Sequence, residues 1–286
     1  MGWLTDPWAT DLVTRAGLEL VLVGILGGAL GVFVVLRGLP YTVEAFSHTV
    51  FPGAVLAAAF GGSIVAGGAA AGLAAAGGIA LAARSRHTSD ETAIGVVFTG
   101  MFALGVLFVA TLGPLDQDIS SFLFGNLLGV SSGDLLASAA ITVAVLAFLV
   151  VMRRPLVMSS FDRDGAAADG GHLGAIDALL LCALALAVVV SIRAVGNVLV
   201  LALFVTPAAT ARLVTRRVAT AIAAAMAAGV AAGIGGLYLS YHAGVAAGGA
   251  VVLVATGLFA ITWLVSPQRG PLASVRRMRT ARPAPR

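Results

Sequence analysis

Leu18-Glu19-Leu20-Val21-Leu22-Val23-Gly24-Ile25-Leu26-Gly27-Gly28-Ala29-Leu30-Gly31-Val32-Phe33-Val34-Val35-Leu36 is apolar over nearly its whole length. A bilayer's hydrocarbon core is about 30 Å thick and takes roughly 20 such residues as helix. Working outward, eight further runs of this kind follow, near residues 43–61, 63–83, 92–112, 134–152, 175–191, 194–211, 218–240 and 247–265. Only Phe60-Gly61-Gly62-Ser63 divides the second run from the third, so the count is eight or nine. The expected fold is an all-α polytopic membrane protein with eight to nine transmembrane helices.

Composition agrees. Of 286 residues, 59% are hydrophobic and 10% charged, and the mean hydropathy is +1.03. A soluble domain carries about 25% charged residues, which excludes an ordinary cytosolic enzyme, a disordered chain and a disulfide scaffold. The isoelectric point is near 10.2, yet the charges are scattered between apolar runs. A nucleic-acid binder clusters them on one solvated face. The single cysteine, Cys182, sits in an apolar run and can form no intrachain disulfide.

All seventeen basic residues are Arg. Lys and Arg concentrate in cytoplasmic loops. With the C-terminal tail inside, fifteen of the seventeen fall there: Arg37, Arg84, Arg86, Arg153, Arg154, Arg163, Arg212, Arg216, Arg217 and the six between Arg269 and Arg286. Only Arg15 and Arg193 remain outside. The expected organisation is an N-terminal interfacial segment (1–17) and one transmembrane domain (18–266), followed by an Arg-rich cytoplasmic tail (267–286). Nine spans put the N-terminus outside; eight put it inside. The start is acidic and lacks the basic region of a signal peptide. Trp3, Leu4, Trp8 and Leu12 suit the membrane interface. An outer segment at 113–133 has an apolar middle from Ile119 to Gly129, too short to cross, and reads as a short helix. The inner loop 153–174 has room for a helical turn or two. Small residues recur at four-residue spacing, Gly24 with Gly28 and Gly27 with Gly31, which lets helix backbones approach closely in lipid.

The chemistry available is narrow. Without Lys the chain has no G-x-x-x-x-G-K-[ST] phosphate loop, so ATP hydrolysis, where it drives transport, belongs to a partner subunit. No Cys-x-x-Cys or His-Glu-x-x-His pattern occurs. Ionisable groups within a bilayer are costly and mark function, and Glu44 and His48 stand four residues apart, on one helix face. A carboxylate with an imidazole suits Mn²⁺, Fe²⁺ or Zn²⁺. Two ligands are few, and a two-fold dimer would supply four. A hydrogen-bonded structural pair is the alternative. Pro52, one turn on, interrupts the helix and frees carbonyls. His87, His172 and His242 lie in loops or at a helix end and read as solvated.

Glu44-Ala45-Phe46-Ser47-His48-Thr49-Val50-Phe51-Pro52-Gly53 resembles the D-A-x-S-H-A-V-x-P-G stretch of the ABC-3 permease family, the membrane subunits of bacterial manganese, zinc and iron importers. Further resemblances follow in order: Thr92-Ala93-Ile94-Gly95-Val96-Val97-Phe98, Phe122-Leu123-Phe124-Gly125-Asn126-Leu127-Leu128-Gly129-Val130, Ser160-Phe161-Asp162, Val205-Thr206-Pro207-Ala208-Ala209-Thr210-Ala211-Arg212 and Gly236-Leu237-Tyr238-Leu239-Ser240-Tyr241. Together they span residues 20 to 270, and their order is specific where each alone is weak.

The resemblance implies a type II ABC importer permease in the bacterial inner membrane, working as a homodimer. Its implied partners are two cytoplasmic ABC ATPase subunits and an extracytoplasmic metal-binding protein. It carries no resident cofactor: the divalent metal is cargo, and ATP sits on the partner. The family's metal-contacting Asp and His fall on Glu44 and His48. Glu in place of Asp shifts the carboxylate outward by about 1–1.5 Å. The loop opened by Phe161, Asp162 and Arg163 and continuing through Ala166, Ala167 and Ala168 aligns with the coupling helix that docks on the ATPase; three alanines there imply an altered dock. Ser47, Pro52, Asn126, Thr206 and Pro207 are the residues expected to pack the pathway and its gates. Manganese is favoured by the Pro-Gly after the His motif. A permease for an organic cofactor or metal chelate, and a secondary transporter without an ATPase, are the alternatives.

Overall fold

In the computed structural model, residues 8, 10–83, 89–112, 125–168 and 172–266 are described. All their regular structure is helical: α1 (Asp11–Leu36), α2 (Pro40–Thr49), α3 (Phe51–Ala59), α4 (Ile64–Ala82), α5 (Asp90–Leu112), a 3₁₀ turn (Leu127–Gly129), α6 (Ser132–Val151), α7 (Arg153–Phe161), α8 (Arg163–Ala168), α9 (Leu173–Val214), α10 (Val218–Ala243) and α11 (Ala247–Val265). Seven helical stretches are long and apolar enough to cross a bilayer. The remaining apolar runs are accounted for by α2 with α3, a run broken in two, and by the shorter stretch Leu199–Val214.

The 42-residue α9 is a hairpin. Gly196 has φ 75° and ψ 169°, a left-handed conformation inside an otherwise helical segment that only glycine adopts without strain. Before it, Asp177 pairs with Arg37 at the end of α1, and Arg193 pairs with Asp134 at the start of α6. After it, Phe204 lies against Gly27 and Gly31, and Ala208 against Gly31. The second arm therefore returns to the end of the bundle from which the first set out. The runs at 175–191 and 194–211 are its two arms. Gly125, with φ +73°, seats on the tip of this hairpin, where a Cβ would strike the backbone of Val195 and Gly196.

α1 is the hub. Its Gly24 and Gly28 face α10: a Cβ on Gly28 would stand 2.6 Å from the Met226 amide nitrogen. Gly27 and Gly31 face the second arm of α9, the latter against the Phe204 carbonyl. One helix thus carries two small-residue stripes with two partners, the close approach that small residues permit in lipid. Around it Leu20, Leu26, Leu30, Phe33, Phe46, Leu184, Leu203 and Phe204 are fully buried.

α1 begins at Asp11, so residues 11–17 form its first turns. Burial explains it: Ala16 and Leu20 are fully buried, and Gly17 lies under the ring of Trp8. The Trp8 indole donates to the Tyr238 hydroxyl at 2.6 Å, pinning the chain start onto α10. The run 43–61 divides because Pro52 at the second position of α3 has no N–H for the His48 carbonyl. The inner loop holds two helices, α7 and the six-residue α8. Of the short outer helix expected over 119–129, only the 3₁₀ turn falls within the described residues. Arg84, Arg86, His87 and the tail lie outside them.

Candidate functional site

α2 puts Glu44 and His48 one turn apart on the same face, and Glu44 Oε1 lies 3.3 Å from His48 Nε2. Both side chains are half-buried. The imidazole is held in an aromatic bay, its centroid 5.2 Å from that of Phe98 and 5.6 Å from that of Phe102, both on α5. Phe51 extends the bay, 6.1 Å from Phe102.

A third residue joins them. Asn197, immediately after the Gly196 turn, brings its Nδ2 to 3.2 Å from His48 Nε2, and its buried Oδ1 has no hydrogen-bond partner among the described residues. Nε2 has either one proton or one lone pair. It can donate to Glu44 or accept from Asn197, so it cannot satisfy both. Turning the amide, so that its oxygen faces a protonated Nε2, is one resolution; the carboxylate, the imidazole nitrogen and the amide oxygen are also donors that a cation would take. Among the described residues no three His, Cys, Asp or Glu converge, so each chain offers a sparse ligand set.

The other expected site residues divide. Ser47 is buried and donates to the Glu44 carbonyl at 2.6 Å, bracing the turn that carries the carboxylate. Pro52 frees the His48 carbonyl. Asn126 is elsewhere: its backbone N–H donates to the Arg193 carbonyl at 3.3 Å, and it lines a cavity of about 180 Å³ beside Asp134 and Glu19. Thr206 and Pro207 lie in the second arm of α9, about 13 Å of helix rise from Asn197. Phe161 and Asp162 are exposed, and Asp162 Oδ1 accepts from the Gly165 N–H at 2.8 Å, capping α8. Arg163 reaches Asp177 at 2.7 Å. Ala166 is buried, while Ala167 and Ala168 face outward.

Two functional candidates escaped the sequence reading. Asn197 carries no sequence signal, being one amide beside a glycine. Glu19 had one, as a lone carboxylate inside an apolar run. It is buried, accepts a 2.6 Å hydrogen bond from Ser138, and leaves its second oxygen without a partner.

A hairpin-centred bundle with seven helices apolar enough to cross a bilayer, and a carboxylate–imidazole–amide trio between α2 and α9, is the frame of a multi-pass membrane protein. The model of the ABC 3 transport family matches residues 9–266, and the chain belongs to that family. It is 37% identical over 252 residues to the manganese transport system membrane protein MntC of Halalkalibacterium halodurans, covering 88% of this chain and 86% of that one. It is 30% identical to a probable iron transport system membrane protein of Haemophilus influenzae, covering 93% and 98%. The structure of PsaBC from Streptococcus pneumoniae in complex with Fab superposes with a TM-score of 0.84 at 30% identity, covering 96% of this chain and 98% of that one. The all-α permease fold expected from the sequence is thus the fold of the family.

Proposed function

We propose that this chain is the membrane subunit of an ATP-driven importer of divalent transition-metal ions, with Mn²⁺ as its principal cargo. The observation that carries the reading is the shared Nε2 of His48, caught between Glu44 and Asn197. The trio gathers a carboxylate, an imidazole and an amide at one point, and is sparse enough to release a cation. Glu44 and Asn197 are oxygen donors and His48 a nitrogen donor, a set that Mn²⁺ accepts readily. The names of related proteins, manganese first and iron second, point the same way.

Two copies paired about a two-fold axis bring two such sets together. The arginine-rich end faces the cytoplasm, where α8 docks on an ABC ATPase, one per copy. The end bearing Asp134 and Arg193 faces outward and receives metal from a binding protein. Closure of the ATPases on ATP moves the coupling helices and alternates access to the trio. A protonated imidazole has no lone pair for metal, so acidification weakens engagement.

The experiment is co-expression with the cognate ATPase and binding protein, followed by elemental analysis of Mn, Fe and Zn. ATP-dependent gain of Mn, lost in His48→Ala, is the expected result. An assembled complex that accumulates none of the three metals refutes the proposal.

A further inference from the structure

Arg37 ends α1, and its side chain is only 7% exposed. Its guanidinium donates on every edge. Nε bonds Ser160 Oγ at 3.0 Å, and one Nη bonds Ser159 Oγ at 2.6 Å and, more weakly, the Leu156 carbonyl at 3.4 Å. The other Nη bonds Asp177 Oδ1. Ser159, Ser160 and Leu156 belong to α7, and Asp177 to the first turns of α9. The second oxygen of Asp177 accepts from Arg163, on α8, at 2.7 Å. One carboxylate therefore joins two arginines, one on the coupling helix and one at the end of the hub helix.

The connection onward to the metal trio is short. Arg37, Gly38 and Leu39 link α1 to α2, Gly38 with φ +70°, and the Leu39 N–H is tied back to the Val34 carbonyl at 2.8 Å. Pro40 then opens α2, which carries Glu44 and His48. Apolar packing does not fill the space alongside. A cavity of about 200 Å³ lies between Leu39, Ile79, Ile94 and Leu180, with Arg37, Arg163 and Asp177 on its wall. The ionic chain forms part of that wall.

We propose that Asp177 is a positioning residue that relays movement of the coupling helix, through Arg163 on one side and Arg37 on the other, to the helix bearing Glu44 and His48. This rests on the reading of the chain as an ATP-driven permease. The two legs differ in kind. Arg163 is 57% exposed, and an exposed pair adds little to folding, so this leg can break and re-form within a transport cycle. Arg37 is buried and makes four hydrogen bonds, so its leg is stiff. When the ATPase draws α8, the carboxylate is drawn with it, and Arg37 turns the α1–α2 connection.

The test uses the complete transporter in proteoliposomes, reading Mn²⁺ carried per ATP hydrolysed. Asp177→Asn keeps an acceptor for Arg37 but lacks the charge that holds Arg163. It is expected to assemble, bind Mn²⁺ and hydrolyse ATP while ions per ATP fall by roughly five- to tenfold, the scale of a coupling free energy. Asp177→Glu, with the cavity to take its extra methylene, restores most of the loss. Arg163→Ala added to Asp177→Asn makes matters no worse. Unchanged stoichiometry in Asp177→Asn, or losses that multiply in the double variant, overturns the relay. A cargo-free readout separates the relay from the functional reading. Spin labels on Tyr41→Cys and Ala167→Cys, in a Cys182→Ala background, are expected to keep their spacing on ATP binding with Asp177 present and to spread with Asp177→Asn. Equal distributions in the two overturn the relay even if no metal is carried; a wild-type complex that moves no metal refutes the importer reading alone.

Discussion

The seam where α1 meets α10 and the returning arm of α9 is built unlike the face where α2 meets α5. In the seam glycines let backbones touch, and 72% of the apolar window of α1 is buried against protein. Along α5 only 17% is buried, and aromatic rings fill the gap to α2. A close-packed backbone seam has no room to adjust, whereas rings around a half-buried histidine can re-pack. The contrast assigns rigidity to one region and movement to the other, and each substitution below breaks or sharpens it.

The largest effect belongs in the seam. Gly31→Ala drives a Cβ into the Phe204 carbonyl, backbone that cannot swing aside, and is expected to cost at least ~3 kcal/mol. Thermal unfolding in detergent would register this as a lost or sharply lowered transition; a wild-type midpoint would mean the seam is looser than described. Next comes His48→Ala, which leaves the fold intact and removes ATP-dependent uptake. Asn197→Ala follows, with uptake lowered by about 10-fold, the range for removing a supporting partner at a metal site. Uptake equal to wild type would remove Asn197 from the trio. Glu44→Asp shortens the carboxylate arm and is expected to shift relative Mn, Fe and Zn uptake by less than about tenfold, under ~1.4 kcal/mol, measured by competition. Last comes Ser138→Ala, which leaves uptake unchanged and deletes the Ser138 hydrogen bond to buried Glu19. About 0.6–2 kcal/mol is its expected cost, read from the unfolding midpoint.

The same contrast explains what the chain disclosed before its structure was known. Apolar length and glycine spacing are local properties, so the membrane-crossing character, the α9 arms and the α1 stripes were legible, although seven helices among the described residues, not eight or nine, are long and apolar enough to cross. Glu44 and His48 were legible because their relation is four residues along one helix. The hairpin at Gly196 merges two runs into one helical segment, and nothing in Val195-Gly196-Asn197 announces that an amide there reaches His48 on another helix. Asn126 and Thr206 entered as gate residues through family motifs alone. The fold puts Asn126 with Glu19 and Thr206 far along the α9 arm. The Arg37–Asp177 pair spans 140 positions, and its members carry no pattern that joins them in sequence. Nothing in the first residues announces that Trp8 reaches Tyr238 on α10 or lies over Gly17, contacts between positions far apart in sequence or set by packing.

The central claim is that a transported metal touches Glu44 and His48 on α2 and Asn197 on α9. Pulsed electron paramagnetic resonance of Mn²⁺ bound to the assembled transporter tests it directly, since nitrogen ligation leaves a hyperfine signature that oxygen ligands do not. The expected spectrum shows an imidazole nitrogen in wild type and none in His48→Ala. A bound Mn²⁺ with the same spectrum in both proteins would contradict the account and place the metal elsewhere.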